Sequence, residues 1–188
     1  MRFSMISHAA EQLLKELEGV ELQVYRDVVG KRTIGVGHLI LTPTDKNLTA
    51  VTGMPPLMVK SLTMDQVDRL LDLDLKIFEE SVLDWVESAN IYITQSQFDA
   101  LVLFAFNLGL NALKNSTLFK KVLANDMKGA HNEFKKWVYA GGKVVKGLVE
   151  RRFIEATIFA SDFHSEYHTS NNNSARLLKE YFENLRGM

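Results

Sequence analysis

The stretch that decides the fold is LEGVELQVYRDVVGKRTIGVGH, residues 17–38. An apolar helical face formed by Ala10, Leu13, Leu14 and Leu17 runs into it, with Ser7 as the predicted cap. Gly19 stops that helix, because glycine accepts the left-handed conformation of a helix terminus at little cost. The character then changes. Val24, Val28, Val29, Thr33, Ile34 and Val36 are β-branched, and glycines fall at 30, 35 and 37. Asp27-Val28-Val29-Gly30 has the residues of a type I turn, Asp first and Gly last. The pattern predicts a hairpin of 22–26 paired with 31–36.

Further along, residues 42–62 hold all three prolines with little periodicity and read as a loop or irregular excursion. Thr63-Met64-Asp65-Gln66 is a capping box ahead of a long amphipathic helix. Thr94-Gln95-Ser96-Gln97 repeats the device before the most apolar helix, residues 98–110. Helices are predicted over about 117–124, 127–139 with Asp126 as cap, and 148–160, with Gly141-Gly142 stopping the second. Residues 164–175 read as a polar linker and 175–185 as a last amphipathic helix. The expected fold class is α+β, mainly helical. A small antiparallel sheet lobe, about 19–62, stands beside a helical lobe, about 63–160 plus the first helix. A cleft between such lobes is a common place for a site. Residues 1–160 form the expected main domain, holding both lobes, and 161–188 an extension.

Composition narrows the function. Hydrophobic residues make up 46% of 188, enough for a sizeable core. The net charge of −1 gives no pull towards nucleic acid. The absence of cysteine excludes disulfides, thiol catalysis and cysteine-bound metal. Glu11 and Lys15 interrupt the N-terminal region, so no signal-peptide core is read there, and residues 98–110 are too short to span a bilayer. The expectation is a soluble chain without a membrane span, made in the cytoplasm.

Glu18, Asp27 and Thr33 lie around the predicted hairpin. Two carboxyls with different environments are what glycoside cleavage needs: one protonated to serve the leaving oxygen, one ionised to activate water or attack. A Glu at a lobe junction is expected to be partly desolvated, and an Asp at an exposed turn solvated. Gly35 and Gly37 share a strand face with Thr33 and would leave it bare for a substrate. The plainer account remains open from spacing alone: Glu18 as a helix-end residue, Asp27 as a turn former. Against it, an anion at a helix C-terminus is disfavoured by the dipole.

The stretch resembles the active-site segment of the phage-type lysozymes, glycoside hydrolase family twenty-four. Glu18, Gly19, Tyr25, Asp27, Gly30, Thr33, Ile34, Gly35, Gly37 and His38 match its pattern without a gap. QFDALVLFAFNLG, NSTLFKKVLAND and WVYAGGKVVKGLVERRFIEATIF extend the resemblance in order, over about residues 7–160. It implies hydrolysis of the β-1,4 link between N-acetylmuramic acid and N-acetylglucosamine in a peptidoglycan glycan strand. It also implies a monomer made in the host bacterial cytoplasm that acts on the cell wall after release, without cofactor. Glu18 matches the general acid, Asp27 the carboxylate that positions or activates water, and Thr33 the residue that helps hold that water. Inversion is implied, which sets the carboxyls about 6.5–9.5 Å apart rather than about 5–5.5 Å. Leu39, Phe106 and Ser116 match substrate-contacting positions.

His38 has a catalytic or metal reading, but no second histidine lies at ligand spacing. The resemblance implies instead an ion pair with Asp74. Trp137 reads as a core anchor, and Arg151, Arg152 and Glu155 as pairs at helical spacing. The near-neutral charge departs from basic relatives, so wall binding should be weaker and less salt-dependent. The 161–188 tail lies outside the resemblance. Those departures keep a second function class in view, a lysozyme-like binding or localisation module with weak or no catalysis.

Overall fold

The structure, a computed structural model, describes residues 5–41, 43–162 and 172–186. Helix α1 (His8–Glu18) starts where the sequence places it, with Ser7 Oγ accepting from Ala10 N at 3.1 Å. It ends at Gly19, whose φ of +81° lets its N–H donate to the Lys15 carbonyl at 2.9 Å. The chain then enters an antiparallel sheet of β1 (Glu21–Arg26), β2 (Arg32–Gly35) and β3 (His38–Leu39), in that order. The third strand was not anticipated. Gly35 and Gly37, both at positive φ, reverse the chain around Val36 and return it beside β2. Tyr25 pairs with Thr33 and Arg26 with Arg32, and the register slips between Glu21 and Tyr25.

Two compact units divide the chain: residues 14–77, and residues 1–13 with 78–188. The division falls within α1 and within α3 (Met64–Ser88). The unit of residues 14–77 holds the sheet. Residues 42–62, expected as loop, contain helix α2 (Lys46–Thr52) and a 3-10 turn, Pro56–Met58. Asp45 caps α2 by accepting from Leu48 N at 2.9 Å, Gly53 closes it in the left-handed region, and Leu48 and Val51 are buried. Seven residues are too few to show helical periodicity, and the flanking prolines mask the helix in the sequence. The chain past that turn pairs with the free edge of β1, through Val24 N to Lys60 O and Leu62 N to Leu22 O. Covering an edge strand removes a site for aberrant pairing. The Thr63–Gln66 capping box opens α3 as predicted, with both reciprocal bonds formed.

The second unit is built on α4 (Gln95–Leu108), α5 (Leu110–Asn115), α6 (Thr117–Leu123), α7 (Met127–Glu133), α8 (Lys146–Ala160) and α9 (Asn172–Arg186). The Thr94 capping box is present, and α4 packs on α8. Phe98, Phe104, Phe119, Phe134 and Phe159 fill the core. Trp137 meets Phe104 edge-on, consistent with its anchoring role. Two expectations are corrected. The 127–139 helix stops at Glu133 and tightens into a 3-10 turn, Phe134–Lys136. Gly141-Gly142 is then the turn of a second hairpin, β4 (Tyr139–Ala140) with β5 (Lys143–Val144). Two glycines at positive φ are the signature of a hairpin turn whose twist suits the strands. Helix α9 begins at Asn172, earlier than predicted, and packs on α8 with Leu177, Leu178 and Tyr181 buried. The rest of the predicted linker, 164–171, lies outside the described residues.

Candidate active site

Glu18, Asp27, Thr33 and Leu39 all belong to the unit of residues 14–77, whereas Phe106 and Ser116 belong to the other. Glu18 is the last residue of α1, and both its side chain and Gly19 are exposed. Asp27 is half-buried. This reverses the expected order of burial. The helix runs out at the surface, while Asp27 is drawn into its own turn.

That turn is tightly bonded. Asp27 Oδ1 accepts from Val29 N at 3.0 Å and from Lys31 N at 2.8 Å. Asp27 N donates to Lys31 O, and Gly30 N to Asp27 O, both at 2.9 Å. Gly30 sits at φ +81°, so the loop of residues 28–30 is a three-residue hairpin connection with its last residue left-handed. Among the described residues, no donor stands against Asp27 Oδ2. One oxygen is fixed by backbone and the other accepts no hydrogen bond from the described residues.

Thr33, across from Tyr25 on β2, is 3% exposed. Its hydroxyl donates to Lys31 O at 3.2 Å, so its lone pairs stay available as acceptors. The Tyr25 phenol is pushed up from its ordinary value, first by burial and then by the charges of Glu21, Asp27 and Glu18. Both candidate carboxylates therefore act on one ring. The bare strand face expected from the glycines is not there. Gly35 is buried, and its positive φ breaks the two-residue alternation. A Cβ at that position would meet Leu62, Val67 and Leu70.

His38 is held more fully than predicted. Its Nδ1 lies 2.7 Å from Asp74 Oδ2, the expected partner, and its Nε2 lies 2.8 Å from Asp45 Oδ2. Burial works against the imidazolium. The hydrogen bonds and charges of Asp74 and Asp45 outweigh it, and the pKa is raised from 6.5. Asp45 was missed. The signal was an Asp preceding Lys-Asn-Leu, a capping position hidden inside the apparent loop. Among the described residues, no group of three or more His, Asp or Glu is placed to hold a metal ion.

Leu39 is exposed and Phe106 half-buried, with its ring 5.3 Å from that of Phe78. Ser116 does not fit the expected sugar contact. It is 4% exposed and caps α6, donating to Leu113 O at 2.6 Å and accepting from Phe119 N at 2.9 Å. Its hydroxyl is committed within the fold.

A mainly helical chain with a small antiparallel sheet, in which a turn-held aspartate follows a helix-end glutamate, has the fold of the lysozyme-like endolysins. The phage lysozyme family model matches residues 15–155, and the chain belongs to that family. It is 38% identical over 156 residues to an endolysin of Bacillus phage B103, covering 82% of this chain and 53% of that protein. It is 34% identical over 148 residues to a SAR-endolysin of Escherichia phage Mu, covering 79% of this chain and 77% of the relative. Among solved structures, an endolysin from the Escherichia coli O157:H7 phage FAHEc1 superposes with a TM-score of 0.68 at 29% identity, covering 86% of this chain and 97% of its own. The muramidase domain of SpmX from Asticaccaulis excentricus gives 0.67 at 28%, with 84% and 98% covered. The chain spans about half the length of the Bacillus phage endolysins it matches. Among the described residues, no helix is long and apolar enough to cross a membrane.

Proposed function

We propose that the protein is a muramidase of the endolysin type, hydrolysing the β-1,4 bond between N-acetylmuramic acid and N-acetylglucosamine in bacterial peptidoglycan. The observation that carries this reading is the Asp27 carboxylate, pinned at Oδ1 by two backbone N–H groups and open at Oδ2, in one compact unit with Glu18 and Thr33. Glu18 donates its proton to the glycosidic oxygen as the bond to C1 breaks. Asp27 Oδ2 orients a water and takes its proton as the water attacks C1 from the opposite face. The Thr33 hydroxyl accepts a hydrogen bond from that water. Glu18 is exposed at the end of α1, open to a glycan strand. Leu39 and Phe106 contact the sugars, and Ser116 stays a capping residue.

The outcome is inversion, since water rather than Asp27 forms the new bond. The enzyme works as a monomer without cofactor, on the wall, after synthesis in the bacterial cytoplasm. The test is clearing of a suspension of outer-membrane-stripped cells by wild type and by Glu18→Gln. Wild type should clear and the variant should not. If folded wild type leaves the suspension turbid, the enzyme reading gives way to a binding module. NMR of the first-formed product should show the α-anomer.

A further inference from the structure

The rung of the hairpin beside Asp27 is electrostatically odd. Arg26 stands directly opposite Arg32. Like charges in that relation destabilise a sheet. Among the described residues, neither guanidinium has a carboxylate within ion-pair distance. Each instead reaches a backbone carbonyl. Arg32 Nη2 donates to Val59 O at 3.3 Å. Arg26 Nη1 donates to Gly30 O at 2.7 Å.

The Gly30 carbonyl belongs to the same peptide unit as the Lys31 N–H, and that N–H is the 2.8 Å donor to Asp27 Oδ1. A peptide unit is a rigid plane. Arg26 holds one edge of the plane and Asp27 is held by the other. A cation on the carbonyl also polarises the unit and strengthens the N–H as a donor. The other bonds of the turn come from its own backbone, from Asp27 itself, and from the Thr33 hydroxyl, which reaches the next carbonyl, Lys31 O, and not the 30–31 peptide. Arg26 is thus the side chain outside the turn that fixes the tilt of the plane aiming the carboxylate.

We propose that Arg26 is a positioning residue for Asp27, acting through the 30–31 peptide and setting where Oδ2 presents its water. The proposal rests on the reading of Asp27 as the water-holding carboxylate. It is tested with a soluble oligosaccharide of alternating N-acetylglucosamine and N-acetylmuramic acid, by steady-state kinetics and thermal unfolding. Displacing a reacting group by a fraction of an ångström predicts a fall in kcat of about tenfold for Arg26→Gln, with KM within about twofold and Tm nearly unchanged. Arg32→Gln, which removes the same charge from the same rung, should hold kcat within about twofold. In an Asp27→Asn background, Arg26→Gln should lower the residual rate no further, because the two act as one unit. Wild-type kcat in Arg26→Gln, an equal fall in Arg32→Gln, or an undiminished Arg26→Gln effect on Asp27→Asn would each overturn the proposal. Wild-type turnover by Asp27→Asn alone would instead sink the role of Asp27.

Discussion

Helix α9 lies beyond the family match, yet the structure makes it part of a buried polar cluster. Asp99, on α4, is 0% exposed. Its carboxylate accepts from Ser7 N at 3.0 Å, from Ser7 Oγ, from Gln95 Nε2 at 2.8 Å and from the Tyr181 hydroxyl at 2.8 Å. Tyr181→Phe keeps the buried ring and removes only the last donor. A hydrogen bond to a charged group is worth about 1.5–3 kcal/mol, so a loss of about 2 kcal/mol is expected. For a chain of this length that lowers Tm by about 4–8 °C. The pH dependence is a second signature. Burial raises the Asp99 pKa above 3.8, although its hydrogen bonds pull the other way. A raised folded pKa means stability that is fully present below the unfolded value and is lost as pH rises through the folded one. Removing a donor to the ionised form raises that pKa further, so the deficit of Tyr181→Phe should shrink as Asp99 protonates. The assay is thermal unfolding of both proteins in steps from neutral pH towards pH 4. A variant whose Tm stays within about 1 °C of wild type at neutral pH refutes the reasoning, since the hydroxyl would then contribute little. So does a deficit that grows on acidification.

Other outcomes follow from the same contacts. His38 has a raised pKa, so its contribution to stability is complete below 6.5 and lost as pH rises through the higher folded value. Chemical denaturation across that range should show the decline, and Asp45→Asn or Asp74→Asn should flatten it while costing more stability than turnover. Glu155 is buried with Arg151 Nε and Arg152 Nη2, both 3.0 Å from its Oε1. Glu155→Ala leaves buried guanidinium charge, which predicts a loss of about 3–5 kcal/mol in denaturant titration. Glu16→Gln and Glu21→Gln should keep lytic activity that Glu18→Gln loses. Equal loss in either would show that the wrong acid has been assigned.

What the sequence disclosed and what it hid divide along the distance between interacting residues. The Ser7 cap, both capping boxes, the Gly19 stop and the turn at Asp27 are contacts across a few residues, and each stands where the residues place it. Helix α2 was hidden because one short turn of chemistry, Asp45 to Gly53, was outweighed by neighbouring prolines. The second hairpin is hidden for the opposite reason. Gly-Gly stops helices and turns strands, and only the pairing of Tyr139 with Val144 decides between them. The candidate site divides in the same way. Glu18, Asp27 and Thr33 stand around one local hairpin, in the unit of residues 14–77, where short-range signals place them. Asp45 on His38 and the use of the Ser116 hydroxyl as a cap needed the neighbouring backbone to be seen.

The contact between Tyr181 and Asp99 joins residues 82 apart, and that of Ser7 with Asp99 residues 92 apart. No periodicity encodes such a meeting. Asp99 reads in sequence as one more polar residue interrupting an apolar helix, and Tyr181 as one apolar position on an amphipathic one. Folded, they explain each other. An isolated carboxylate inside α4 would cost several kcal/mol. It is tolerated because α1 and α9 both deliver donors to it. The same logic holds at Asp27, where a charged group is fixed by donors from its own turn and one oxygen is left over. Around Asp99, the donors are spent on holding the chain. At the hairpin, the bonding stops one oxygen short, and the proposed water-activating role rests on that open oxygen.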